Sequence, residues 1–207
     1  MTETIETEEE LNQRHAEKMA KRKAARDKML AGKTIEKGLL IVHTGLGKGK
    51  STAAFGLVMR ALGHGMRVGI VQFTKGKWTS GERFVLDRFP DQVTLRVMGE
   101  GFTWETQDRQ RDIAAAKAAW AMAQALMADP GYDLILLDEI NISLRYDYLN
   151  IAEVVAALSA RRPMLHVIAT GRHAKPELIE AADLVTEMQA VKHPFRAGVK
   201  AQKGIEF

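Results

Sequence analysis

From Thr44 to Thr52 the chain runs Thr44, Gly45, Leu46, Gly47, Lys48, Gly49, Lys50, Ser51, Thr52, residue types suited to holding a polyphosphate. Glycines let backbone amides approach and surround phosphate oxygens. A helix that starts at such a loop adds the positive end of its dipole. Lys50 supplies a mobile cation and Ser51 a hydroxyl suited to Mg²⁺. All nine residues are therefore candidate phosphate ligands. The usual first glycine of a P-loop falls at Thr44, with Gly45 one position later.

A second element, Leu136, Leu137, Asp138 and Glu139, closes an apolar run in the manner of a Walker B strand. An acid there holds Mg²⁺ (or Mn²⁺) directly or through water, so Ser51, Asp138 and Glu139 are the candidate metal residues. Neighbouring residues on a strand face opposite ways, so one acid aims at the nucleotide while the other orients the loop or a metal-bound water. The sequence leaves open which is which. It also leaves open a purely structural pairing of the carboxylate with Ser51 or Lys50.

Phe102 and Trp104 lie in a glycine-bounded loop from Gly101 to Thr106. They form either an apolar platform for a large flat ligand or a plug between sheet and helix. Arg172, just after another apolar run, offers a planar fork to phosphate or makes a surface ion pair. The basic tail from Val191 to Phe207 is expected to fold back over this edge. His43, His166 and His173 lack metal-ligand spacing, and His166, inside an apolar run, reads as a packed histidine.

These groups need a scaffold that brings them to one edge. Apolar runs at 38–43, 67–73, 93–98, 133–138, 164–170 and 184–191 read as strands. Helical stretches at 50–62, 81–89, 106–128, 151–160 and 176–182 alternate with them. Such alternation with continuously apolar strands means an α/β fold, a mostly parallel sheet covered by helices on both faces. In this architecture ligands bind beyond the carboxyl ends of the strands, where every candidate residue falls. Residues 1–37, acidic and then basic, have no full apolar stripe and read as a helix-favouring N-terminal arm; 38–207 form the α/β domain.

The composition narrows the chemistry. The 207 residues include no cysteine, which excludes disulfides, thiolate metal sites and cysteine nucleophiles. The net charge of +4 suits an anionic ligand without demanding nucleic acid. The basic arm lacks the interleaved aromatics of a single-strand binder, so no nucleic-acid partner is expected. No run approaches the roughly 20 apolar residues of a membrane span, and the acidic first ten residues are no secretory signal. A cytoplasmic protein without a membrane partner is the expectation. The two nucleotide motifs alone leave a kinase or a RecA-like ATPase open.

Taken together, the phosphate loop 44–52, the Gly101 to Thr106 loop, Leu136 to Glu139, Tyr146 to Leu149, Thr170 to Arg172 and the tail around Val191–His193 and Gly198–Gln202 resemble the P-loop type of ATP:corrinoid adenosyltransferase. The resemblance covers the chain from Gly38 onward, and the Phe-Thr-Trp loop and the tail are more specific than the phosphate loop. The shifted first glycine fits that family. The resemblance implies a P-loop NTPase-like, RecA-like sheet. It implies transfer of the 5′-deoxyadenosyl group of ATP to a Co(I) corrinoid, with release of triphosphate, in cobalamin biosynthesis or salvage. Cobalt is then the nucleophile and the protein supplies none. Lys50 and the loop amides neutralise the leaving triphosphate, with the γ-phosphate deep in the loop. Phe102 and Trp104 would pack beneath the corrin and keep cobalt four-coordinate. An electron donor or reductase, a homodimer, and an arm closing over the corrinoid are further implications.

Overall fold

The computed structural model describes residues 7–74, 81–99 and 108–206. The chain divides into two units, residues 1–36 and 37–207.

Among its described residues the first unit carries one helix, α1 (Glu8–Ala31), with no buried residue. Its start carries a capping box, in which Thr7 accepts from the Glu10 amide and Glu10 reaches back to the Thr7 amide. Three glutamates in the first turn and Lys28 in the last complement the helix dipole.

The second unit is built on a six-stranded, all-parallel sheet with helices between its strands. Its strands are β1 (Leu40–Thr44), β2 (Val68–Gln72), β3 (Val93–Val97), β4 (Leu134–Asp138), β5 (His166–Thr170) and β6 (Leu184–Glu187). Their spatial order is β3-β2-β4-β5-β1-β6. The helices between them are α2 (Lys50–Gly63), α3 (Gly81–Leu86), α4 (Arg109–Ala128), α5 (Ile140–Arg145), α6 (Ile151–Ser159) and α7 (Pro176–Ala181). A single 3₁₀ turn, Pro194–Ala197, lies in the tail.

Alternate strand residues feed two cores. Ile41, Val68, Ile70, Leu134, Leu136 and Ile168 pack against Ala54, Phe55, Val58 and Leu62 of α2. Leu40, Val42, Val71, Ile135, Leu137 and Val167 pack against Ala119, Trp120 and Ala123 of α4, with Leu144, Val154, Leu158 and Leu178 beyond. Burial on both faces explains why these strands read as unbroken apolar runs. His166 takes the structural part its surroundings suggest: its Nδ1 accepts the Leu39 amide at 3.1 Å.

Two elements differ from the sequence reading. The sixth strand ends at Glu187, not Val191. Beyond it, the Met188 amide donates to Thr44 and the Met188 carbonyl accepts from Gly47, so the chain turns from the sheet to brace the phosphate loop. Helix α5 begins directly after β4 through Glu139, which holds a left-handed φ of 66°. That turn type favours glycine or asparagine, so no residue signals it.

Candidate phosphate site at the carboxyl edge of the sheet

β1 delivers the chain into the loop at Thr44, whose hydroxyl accepts the Ala174 amide at 3.0 Å. Gly45 sits at φ 94°, and a Cβ there would lie 2.4 Å from the Met188 carbonyl oxygen. At Gly47 a Cβ would lie 2.5 Å from that of Gln189. Both glycines are thus required by close backbone packing against the segment after β6. Gly49, at φ 105°, is the N-cap of α2. Leu46 and Lys48 are exposed on the rim, and Thr52 faces outward from the first turn of α2.

Lys50 is buried at 6% exposure, and its ammonium donates to the carbonyls of Gly45 at 2.9 Å and Gly47 at 2.5 Å. Burial holds its pKa below the ordinary lysine value; the Glu139 carboxylate opposes that shift, while Arg172 and Lys48 add to it. Lys50 therefore feels Glu139, Arg172 and Lys48 at once. His43 supports the loop from beneath, its Nδ1 donating to the Lys50 carbonyl at 3.2 Å.

Asp138, fully buried at the end of β4, is the hub of the edge. Its Oδ1 accepts from Ser51 Oγ at 2.8 Å and from Thr170 Oγ1 at 2.9 Å, and its Oδ2 accepts from Gln72 Nε2 at 3.0 Å. Thr170 Oγ1 in turn accepts the Glu139 amide at 2.9 Å. The strand order makes this possible: β5 lies between β1 and β4, and β2 flanks β4 on the other side. Asp138 thus faces the phosphate loop, while Glu139 turns out of the strand and acts electrostatically on Lys50.

Arg172 follows β5 through Gly171, whose φ is 128°. Asn141, fully buried, donates from Nδ2 to the Gly171 carbonyl at 3.0 Å. A Cβ on Gly171 would stand 2.8 Å from Asn141 Cβ and 3.1 Å from Glu139 Oε2. Arg172 then lines a cavity of about 520 Å³ with Leu46, Lys48, His193, Arg196 and Glu206. The tail folds back over the phosphate loop, and Lys48 forms an ion pair with Glu206. Phe102 and Trp104 lie outside the described residues.

The structure thus brings together Thr44 to Ser51, Asp138, Glu139 and Arg172. Gln72, Thr170 and Asn141 join them without having been singled out for a role. Gln72 and Thr170 were legible as polar strand ends; their contact with Asp138 depends on strand order. Ser51, Asp138 and Glu139 supply only oxygen donors, the hard set that Mg²⁺ takes. No cluster of three histidine or acidic side chains able to hold a metal occurs among the described residues.

Residues 36–207 match the protein family described as ATP:corrinoid adenosyltransferase BtuR/CobO/CobP. Residues 2–30 match that described as cob(I)alamin adenosyltransferase N terminal. The chain is 58% identical to a corrinoid adenosyltransferase of Pseudomonas aeruginosa, over 96% of this chain and 98% of that one. It is 58% identical to one from a Sinorhizobium species, over 94% and 92%. It is 47% identical to the corrinoid adenosyltransferase CobA of Salmonella typhimurium, over 95% and 99%. Among solved structures, the RadB recombinase superposes with a TM-score of 0.43 at 15% identity, covering 81% of each chain.

Proposed function

Because this chain belongs to the ATP:corrinoid adenosyltransferase family, we propose that the buried edge described above holds the triphosphate of ATP while its adenosyl group passes to a corrinoid. Cobalt of the Co(I) corrinoid donates an electron pair to the ribose 5′-carbon. A cobalt–carbon bond forms, the bond from that carbon to the 5′-oxygen breaks, and the oxygen leaves with its electrons as tripolyphosphate. Co(I) is the nucleophile, so the protein needs none. Its tasks are to align two substrates and to stabilise a highly charged leaving group.

The observation that carries this reading is the buried Lys50 beside the Ser51–Asp138 hydrogen bond, within a chain matched to the family over residues 36–207. Lys50, the amides from Gly45 to Ser51, and Arg172 take the phosphates, with Thr44, Leu46, Lys48 and Thr52 forming the rest of the loop. Ser51 and Asp138 would hold Mg²⁺ (or Mn²⁺), which neutralises phosphate charge, and Glu139 completes the acidic side. Phe102 and Trp104 are assigned to the lower face of the corrin, where an apolar surface keeps cobalt four-coordinate and eases its reduction. An electron donor or reductase supplies Co(I). We assign the arm to covering the corrinoid in a homodimer of residues 38–207 domains, working in the cytoplasm.

The test is product identification after incubation with ATP, Mg²⁺ and chemically reduced corrinoid. Adenosylated corrinoid and tripolyphosphate are expected in equal amounts, and neither without the Co(I) corrinoid. Release of ADP would move the assignment to phosphoryl transfer.

A further inference from the structure

The tail from Lys192 to Glu206 carries Lys192, Arg196, Lys200 and Lys203 but a single acid, Glu206. That one carboxylate does not pair with a tail cation. It is seated on Lys48, the exposed lysine of the phosphate loop. Lys48 is 51% exposed at its side chain and Glu206 18%, so the carboxylate is the more enclosed partner. Lys48 and Arg172, together with His193, Arg196 and Glu206 of the tail, line the cavity between loop and tail. Backbone bonds fix the tail's shape there: the Glu206 and Ile205 amides both donate to the Gln202 carbonyl, and His193 caps the 3₁₀ turn that carries Arg196. Lys48 and Arg172 also act on buried Lys50, so the cavity and the phosphate loop share one electrostatic field. A carboxylate on a loop lysine, in a cavity also lined by Arg172 and Arg196, occupies chemistry that a phosphate oxygen would occupy.

Resting on the triphosphate reading above, we infer that the tail is the outer wall of the polyphosphate site: Arg196 is a phosphate-binding cation, and Glu206 is an internal anion that Lys48 exchanges for the triphosphate. The two residues then pull in opposite directions. Glu206 competes with the ligand for Lys48, so its charge weakens binding. Arg196 attracts the ligand, so its charge strengthens binding. A tail that merely buttressed the loop would make both substitutions harmful.

The experiment is titration calorimetry of the full chain with two probes, inorganic tripolyphosphate and ATP, each with Mg²⁺. Glu206→Gln is expected to tighten both by about two- to fivefold, the range of a half-exposed ion pair. Arg196→Gln is expected to weaken both by about three- to tenfold, with the KM for corrinoid unchanged. In a Lys48→Met background, Glu206→Gln should have no further effect, since the exchange partner is gone. Shifts in the same direction, or both within about twofold of wild type, overturn the inference. Arg196→Lys, which keeps the charge, provides the reading if Arg196→Gln lowers the melting temperature. Calorimetry judges the wall even if product analysis finds ADP; conversely, adenosyl transfer stands if the tail variants bind like wild type.

Discussion

Ser51 Oγ donates to Asp138 Oδ1 across 2.8 Å, joining the first turn of α2 to the end of β4 over 87 positions of sequence. The same carboxylate oxygen accepts Thr170, and its twin accepts Gln72, so three strands and one helix converge on a single buried acid. Such a charge is tolerable in the interior because every donor around it is aligned to it. In the reading proposed above, this is the point where Mg²⁺ would meet the protein.

Asp138→Ala strips the acceptor from Ser51, Thr170 and Gln72 at once. It should cost about 3 kcal/mol or more of stability, since each buried donor left unpaired costs about 1–3 kcal/mol. Asp138→Asn keeps an acceptor oxygen for Ser51 and Thr170 and sets its NH2 against Gln72, whose amide must flip to accept it. It should unfold within about 1 kcal/mol of wild type yet lose adenosyl transfer by about a hundredfold. Thr170→Val should cost about 1–2 kcal/mol and disturb Glu139, whose amide it also holds. Urea midpoints separate the three variants, and a Thr170→Val protein as stable as wild type would count against Asp138 as the hub.

The pKa of Lys50 is lowered chiefly by burial, which disfavours its ammonium in the folded protein. Between that lowered value and the ordinary 10.5, the unfolded chain binds the extra proton, so Lys50's contribution to stability rises with pH across the window. Triphosphate binding runs the other way, because it requires the ammonium. Tripolyphosphate affinity should therefore fall as pH rises through the lowered Lys50 value. Lys50→Arg, which does not titrate there, should bind without that fall. Lys50→Ala should lose adenosyl transfer by about a hundredfold or more at every pH. A wild-type affinity that is flat across the window would remove Lys50 from the phosphate contacts.

Much of this edge was legible because single residues there carry both the turn and the chemistry. Gly45, Gly49, Lys50 and Ser51 signal a strand-to-helix junction and a phosphate loop together. The β4 run ending at Asp138 was legible because a strand buried on both faces leaves an unbroken apolar record. The hub was not legible, because Thr170 and Gln72 meet Asp138 only through the order β2-β4-β5-β1, a long-range outcome of packing. Helix α5 was missed because Glu139 takes a glycine-like conformation with no cap residue to announce it. The sixth strand looked longer because its apolar pattern continues to Val191, yet from Met188 onward the backbone serves the phosphate loop.

Gly171 and Asn141 provide a separable test of how Arg172 is aimed. Asn141 Oδ1 is buried without a hydrogen-bond partner among the described residues, while Nδ2 holds the Gly171 carbonyl. Asn141→Leu removes both polar atoms while keeping the branched shape of the side chain. Its stability should fall by up to about 1–3 kcal/mol, because leaving the buried Gly171 carbonyl without its donor costs more than removing the unpaired oxygen recovers. Its KM for ATP should rise about three- to tenfold, through a misplaced Arg172. In an Arg172→Ala background the same change should have no further effect on KM, the mark of a positioning residue. Gly171→Ala should be worse than Asn141→Leu in both readouts, since its φ of 128° and the 2.8 Å approach of Asn141 Cβ admit no side chain.

With Trp104 assigned to the corrin as proposed, its loss should separate the two halves of the proposed reaction. An apolar surface under the corrin favours four-coordinate cobalt, which matters when the enzyme receives Co(II) and an electron donor must reduce it. It matters far less when Co(I) is supplied ready-made, because the nucleophile already exists and only alignment with the 5′-carbon remains. Trp104→Ala should therefore slow the reaction from Co(II) by about a hundredfold but that from chemically generated Co(I) by about tenfold or less. Phe102→Ala should follow the same pattern. Equal losses in both assays would make these side chains binding or packing groups, and would leave the lowering of the reduction barrier to some other part of the chain.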